Sequence, residues 1–242
     1  MSNILLIIGA SSDIGLELIK SCEEECLIIA HYNSSNQKLL DLKKNISNEL
    51  ITLKANLESE NELEELLAEI ETNYGIPNKI VHLAASKIEN IRFKDVTWGD
   101  FEKDITVSLK SIVIILSRFL PALAKEKRGS VVVMLSSYVT GVPPKALAHY
   151  TTIKYALLGL VKSLASEYGG NGIRINAVSP SMVNTKFLSN INEKLVEISA
   201  HNNPMKRNAM PSDIIPAINL LLGEDAGYIN GVNLPITGGS VL

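Results

Sequence analysis

Ile4-Leu5-Leu6-Ile7-Ile8-Gly9-Ala10-Ser11-Ser12-Asp13-Ile14-Gly15 is the stretch on which the fold turns. The apolar run reads as a strand buried on both faces, and it stops at Gly9. From Ile14 to Ser21 the apolar residues recur at helical spacing. Strand, glycine-rich turn and helix, in that order, make a cradle for a dinucleotide. Glycine lets the backbone come close to a pyrophosphate, and the free N–H groups of the helix start then face it. Gly9 and Gly15 meet that need, Ser11 and Ser12 add hydroxyl donors, and Ile14 opens the helix. Asp13 occupies the place of the usual middle glycine. Aspartate tolerates uncommon backbone angles and can cap a helix. Its charge predicts a side chain turned away from the phosphates.

The rest of the chain repeats the alternation. Residues 26–30, 50–53, 79–84, 130–135, 174–178 and 232–236 read as strands. Residues 37–48, 59–73, 98–127, 146–168 and 211–222 read as helices, the fourth of them long. The helix over 98–127 is expected to break near 99–103 and to kink at Pro121. Such alternation predicts an α/β chain, a single-domain Rossmann fold with a doubly wound parallel sheet of about seven strands and helices on both faces. Residues 1–242 read as one NAD(P)-binding domain. Residues 182–210 are polar and asparagine-rich, and read as a lid or small helical insertion over the site. That polarity tilts the expected substrate towards a hydrophilic one.

Composition narrows the partners. Of 242 residues 46% are apolar, enough for a large core, and the net charge of −3 offers no basic face for nucleic acid. No stretch reads as a signal peptide or a membrane span. Cys22 and Cys26, four apart, are neither a C-x-x-C pair nor half of a ligand set; reduced thiols in a cytoplasmic protein are expected. His31, His82, His149 and His201 have no metal-ligand spacing, so no metal is predicted.

A dinucleotide site for NAD places a carboxylate about 20 residues past the glycines, on the ribose. Here the end of the second strand reads His31-Tyr32-Asn33-Ser34-Ser35, with no carboxylate. Nothing there repels a 2′-phosphate, and His31, Asn33 and Ser34 can donate to one. NADP is favoured over NAD, although no arginine stands by to clamp it.

Tyr150 and Lys154 lie four apart near the start of the long helix, and so on one face, about 6 Å apart along its axis. A phenol titrates near pH 10, too high for acid–base work at neutral pH. A neighbouring ammonium favours the phenolate and brings it closer to the working range. Ser137, thirteen residues before Tyr150, follows the fifth strand at the sheet edge where ligands bind, and can donate to a carbonyl oxygen shared with Tyr150.

Together these motifs resemble the short-chain dehydrogenase/reductase family, as a divergent 3-oxoacyl-acyl-carrier-protein reductase-like member. The likeness runs over nearly the whole chain. It is carried by the 9–15 turn, by Ser137, Tyr150 and Lys154, by Arg174-Ile175-Asn176-Ala177-Val178-Ser179-Pro180, and by Gly231 and Gly238-Gly239. The resemblance implies an NAD(P)(H)-dependent oxidoreductase that interconverts a carbonyl and a secondary alcohol. Tyr150 is then the general acid/base, Lys154 tunes it and holds the ribose, and Ser137 polarises the carbonyl. Pro180, Val183 and Thr185 line the nicotinamide pocket, and Ala84 and Ala85 leave room for the adenosine ribose. Asn56, followed by Leu57, matches an aspartate that contacts adenine. Ser108 matches the asparagine that holds a relay water. The family likeness also implies a homotetramer or homodimer acting on a small-molecule carbonyl or alcohol: an acyl thioester, a keto-sugar or a polyol. Asp13, Ser108 and His82-Leu83 depart from the family pattern and motivate an alternative, a catalytically weak NAD(P)-binding sensor or scaffold.

Overall fold

The computed structural model describes residues 3–22 and 25–241. Its seven strands are β1 (Asn3–Ile8), β2 (Cys26–Tyr32), β3 (Glu49–Lys54), β4 (Lys79–His82), β5 (Gly129–Met134), β6 (Ile173–Pro180) and β7 (Asn233–Ile236). All pair in parallel, in the order β3-β2-β1-β4-β5-β6-β7. The helices are α1 (Asp13–Lys20), α2 (Gln37–Lys43), α3 (Glu60–Asn73), α4 (Trp98–Asp104), α5 (Ser111–Glu126), α6 (Ala148–Tyr168), α7 (Glu193–Asn202) and α8 (Pro211–Leu222). Strand order reverses between β1 and β4, and a crevice opens at the carboxyl edge at such a switch point. The turn after β1 and the loops after β4, β5 and β6 converge there.

The sheet is buried on both faces, which is why its central strands are apolar without alternation. On one face α3, α5 and α6 pack Leu67, Phe119 and Leu157 against Leu6, Ile8 and Val131. On the other, α1, α2 and α8 pack Leu18, Leu39 and Ile218 against Leu5, Ile7 and Val132. The span Trp98–Glu126 is long and apolar enough to cross a bilayer, but Ile112, Ile115, Leu116 and Phe119 are spent on this core. The sulfurs of Cys22 and Cys26 lie 3.5 Å apart, too far for a disulfide between them.

Several boundaries differ from expectation, three of which follow. The helix over 98–127 does not break at 99–103. Gly99 sits in the first turn of α4, where Thr97 and Asp100 cap the helix and Asp100 accepts the Thr97 N–H at 2.7 Å. The irregularity comes later, as a π-helical turn over Ile105–Lys110. Thr106 and Ser111 donate their hydroxyls to the carbonyls of Glu102 and Val107, and such back-bonds loosen the helical ladder. Pro121 lies inside α5, which continues past it to Glu126. Secondly, α2 stops at Lys43, not residue 48, because Asn48 is used elsewhere. Its amide donates to the Cys22 carbonyl and accepts the Cys26 N–H, pinning the start of β2. Thirdly, β4 ends at His82, two residues early.

His82 is fully buried and bonds Ser111 Oγ at 3.0 Å, tying β4 to α5. Burial, helped by the positive charge of Lys154, pulls its pKa down to about 3. The folded chain therefore requires the neutral imidazole. Its contribution to stability is complete above the unfolded value of about 6.5 and is lost as pH falls towards the folded one. Between pH 7 and pH 4 the wild type should lose roughly 5 °C more in Tm than a His82→Asn variant. Equal losses in thermal melts would mean that His82 is not the group being protonated.

Candidate active site

The turn between β1 and α1 uses both of its outer glycines. Gly9 has φ +82°, a left-handed backbone, and a Cβ there would meet the Ala84 nitrogen at 3.1 Å. At Gly15 a Cβ would fall 2.5 Å from the Ala10 carbonyl oxygen. Ser12 caps α1: its hydroxyl accepts the Gly15 N–H at 3.1 Å and donates to the Gly9 carbonyl at 2.8 Å. Ser11, Ser12, Asp13 and Ile14 line a cavity of about 780 Å³. Asp13 is not simply turned away. Its carboxylate accepts the Lys186 backbone N–H at 2.7 Å and the Lys38 ammonium at 2.9 Å, joining the turn to the segment after β6 and to α2. Burial works against that charge, but the Lys186 N–H and the Lys38 ammonium outweigh it and hold the carboxyl below its usual range.

The end of β2 overturns part of the sequence reading. His31 is buried, its Nδ1 accepts the Gly9 N–H at 3.1 Å, and its Nε2 then donates to the Ala55 carbonyl at 3.0 Å. Both ring nitrogens are spent bracing the glycine turn, so His31 has no donor for a phosphate. Asn33 is exposed and outside the cavity, whereas Ser34 lines it. A cation does line the cavity along with Ser34. Lys38 lies on α2, outside the expected loop window. Asn56 and Leu57 also lie off the cavity. The Asn56 amide oxygen accepts the Glu58 N–H in the turn before α3, and Leu57 is buried in the core. Ala84 packs its backbone under Gly9, leaving Ala85 as the cavity wall.

At the other end of the cavity, Tyr150 and Lys154 both face it from α6. Lys154 Nζ lies 5.5 Å from the Tyr150 ring centre and donates to the Met134 carbonyl at 2.9 Å. Burial lowers the Lys154 pKa to about 8, with the Asp104 carboxylate pulling the other way. The expectation that Lys154 draws the phenol down is not met in the protein alone. Burial pushes Tyr150 above the ordinary phenol value, against a hydrogen bond from Ser136 that favours the phenolate. The Tyr138 ring meets Tyr150 edge-on at 6.3 Å.

Of the two adjacent serines, Ser136 lines the cavity with Tyr150, and Ser137, the residue expected from the spacing, follows it in the turn. Ser136 lines the cavity and caps the short turn Ser137–Val139, accepting the Tyr138 N–H. Ser137 is inside that turn, buried and off the cavity. Ser108 is buried in the π-helical turn and likewise does not line the cavity.

Pro180, Val183 and Thr185 line the cavity as expected. Residues 182–210 contain α7, and most of the residues they turn to the cavity are apolar. Phe187, Ile191, Leu195 and Ile198 face the cavity opposite Ile88 and Leu147. Thr185, Lys186 and Ser199 of the same segment also line it, while Asn203 and Asn208 are buried away from the cavity. A second cavity of about 770 Å³ opens at the amino edge of the sheet, where Arg174 donates to the Leu221 and Gly223 carbonyls at the end of α8. Among the described residues no three of His, Cys, Asp and Glu gather as a metal site.

The chain is similar to known proteins over most of its length. A family model described as Enoyl-(Acyl carrier protein) reductase matches residues 9–240. The 3-oxoacyl-[acyl-carrier-protein] reductase FabG of Staphylococcus epidermidis is 25% identical over 99% of both chains. A (3R)-3-hydroxyacyl-CoA dehydrogenase of Canis lupus familiaris is 27% identical over 72% of this chain and 67% of its own. The crystal structure of a levodione reductase superposes with a TM-score of 0.89 at 25% identity, covering 98% of this chain and 96% of that one.

Proposed function

The chain belongs to the short-chain dehydrogenase/reductase family, and from that premise we propose that it reduces an apolar carbonyl compound with NADPH, Tyr150 giving the proton. That it is an NAD(P)-dependent oxidoreductase acting on carbonyl or alcohol groups follows from the family. The observation that carries the finer reading is one continuous cavity with a phosphate turn at one end and Tyr150, Lys154 and Ser136 at the other.

The residues fit a nicotinamide coenzyme. Gly9 and Gly15 leave the backbone bare at the start of α1, and the cavity is within the size range of small-molecule sites. A bound nicotinamide coenzyme supplies or takes the hydride. This chain's residues do the rest. Ser136 and Tyr150 hydrogen-bond the substrate oxygen, and Tyr150 donates its proton there as charge develops. Lys154 holds a ribose hydroxyl and keeps positive charge beside the phenol. Pro180, Val183 and Thr185 wall the nicotinamide end. Ile88, Leu147, Phe187 and Ile191 exclude water and select an apolar body, such as the acyl chain of a 3-oxoacyl thioester. The relatives' printed names, which include reductases and dehydrogenases of acyl substrates, support that class.

Preference for NADP rests on Ser34 and Lys38 rather than on His31. A 2′-phosphate would compete with Asp13 for the Lys38 ammonium. Lys38→Ala should raise the NADPH dissociation constant about tenfold, the worth of one charged hydrogen bond, and leave NADH unchanged. Fluorescence titration with each coenzyme reads both, and an equal effect on the two would remove Lys38 from the 2′-phosphate site. We also infer a cytoplasmic homotetramer or homodimer, a reading supported by apolar Val113 on α5 and Tyr155 on α6, both left exposed.

The direct test is NADPH oxidation with a panel of 3-oxoacyl thioesters, apolar ketones and keto-sugars. Turnover confined to keto-sugars would overturn the apolar reading. NADPH binding with no turnover of any carbonyl would favour the sensor or scaffold.

A further inference from the structure

The turn after β1 carries one side chain to which the chemistry above gives no task. Asp13 stands where a glycine is usual, and a glycine has nothing to reach across the crevice with. The Asp13 carboxylate accepts the Lys186 backbone N–H at 2.7 Å, across 173 residues of chain. Lys186 is the first residue of the short helical turn Lys186–Asn190, and the leading N–H groups of such a turn have no partner within it. Thr185 precedes that turn without capping it, because its hydroxyl donates to the Val183 carbonyl. Asp13 supplies the cap instead, from the opposite side of the cavity. Phe187, Leu188 and Ile191 follow directly and line the cavity, and α7 comes next with Leu195 and Ile198. Among the described residues, no other hydrogen bond or ion pair ties residues 186–202 to the chain outside residues 182–210. For coenzyme binding alone, an acid beside the phosphates is unfavourable. Lys38, at 2.9 Å, offsets that charge, but an ion pair as exposed as this one fixes little by itself.

We propose that Asp13 is a positioning residue for the carbonyl substrate: its carboxylate clips residues 186–202 to the phosphate turn and so seats Phe187, Leu188 and Ile191 as the wall of the cavity. The coenzyme turn and the substrate wall then move as one unit. The clip is a single bond to a backbone N–H, so it can open locally while the sheet stays folded. Its loss leaves Tyr150, Lys154 and Ser136 in place, because α6 and the end of β5 hold them. The substrate then meets a looser wall, and binding weakens while the proton transfer itself is untouched.

This inference rests on the cavity being the carbonyl site, and its test separates the two. The first readout is hydrogen exchange over residues 187–202, followed by mass spectrometry, which needs no turnover. Asp13→Ala should speed exchange there about tenfold, the worth of one charged hydrogen bond, and leave β1, β4 and β5 unchanged. Asp13→Asn, whose amide oxygen still accepts an N–H, should stay close to wild type. Lys186→Pro deletes the donor and leaves the phosphate turn intact, since proline suits the first position of a helical turn. It should speed exchange as Asp13→Ala does, and the two changes together should add nothing further. Lys186→Ala, which keeps the N–H, is its control and should stay close to wild type. The second readout is reduction of acetoacetyl-CoA by NADPH. Asp13→Ala should raise KM for the thioester about fivefold with kcat little changed, and NADPH should bind as well or better because a negative charge has gone. Should Asp13→Ala leave the chain unfolded, Lys186→Pro carries both readouts. Exchange unmoved in Asp13→Ala and in Lys186→Pro overturns the proposal, whatever the activity. So does faster exchange with an unchanged KM for a thioester that is turned over. Faster exchange in a protein that turns over no carbonyl keeps the clip and overturns the reductase reading.

Discussion

Tyr150→Phe is expected to lower kcat/KM for carbonyl reduction by about a thousandfold and to leave NADPH affinity unchanged. The change removes one oxygen. The ring keeps its packing against Ile88 and Leu147 and its edge contact with Tyr138, so the cavity keeps its shape. What is lost is the acid that Tyr150 presents to the substrate oxygen. Burial raises the Tyr150 pKa, so the phenol stays protonated through the neutral range, as reduction requires. Alcohol oxidation needs the phenolate and should accelerate with rising pH until Lys154 loses its own proton. Steady-state kinetics in both directions check this. A variant that kept more than about a tenth of wild-type kcat/KM would give the proton to another group.

Ser136→Ala should cost about a hundredfold in kcat/KM, the usual loss when one donor to a developing oxyanion is removed. Ser137→Ala should cost almost nothing in kcat/KM. Ser136 lines the cavity together with Tyr150, whereas the Ser137 side chain is buried within the turn and its carbonyl binds Thr140. Ser136 also accepts the Tyr138 N–H, so thermal melts of both variants should accompany the kinetics. If Ser137→Ala is the damaged variant and Ser136→Ala the intact one, the thirteen-residue spacing outranks the geometry and the loop after β5 is misdrawn.

The two serines show how far local pattern carries. Tyr150 and Lys154 were legible because both lie on one helix, where four residues amount to one turn and a shared face. Ser137 was less legible because its offset crosses a loop, where residue count and distance part company. Lys38 was missed for a related reason. It sits in α2, past the window searched at the end of β2, and only the packing of α2 beside α1 brings it to Asp13. His31 was in the window but was claimed by the backbone: the Gly9 N–H and the Ala55 carbonyl take both its nitrogens. Residues 182–210 looked polar in sequence because composition averages the two faces of α7, and only folding decides which face turns inward.

Strand and helix periodicity, the bare glycines of the first turn and the Tyr150–Lys154 spacing were enough to determine the parallel sheet, its crevice and the kind of chemistry done there. Each is set by neighbours within one turn or one strand, so the chain's own covalent geometry enforces it. The Lys38–Asp13 pair, the apolar wall of the cavity and the buried Asp104–His149 contact were decided only in three dimensions. They join segments far apart in the chain, and it is helix packing and loop closure, not sequence interval, that sets those distances.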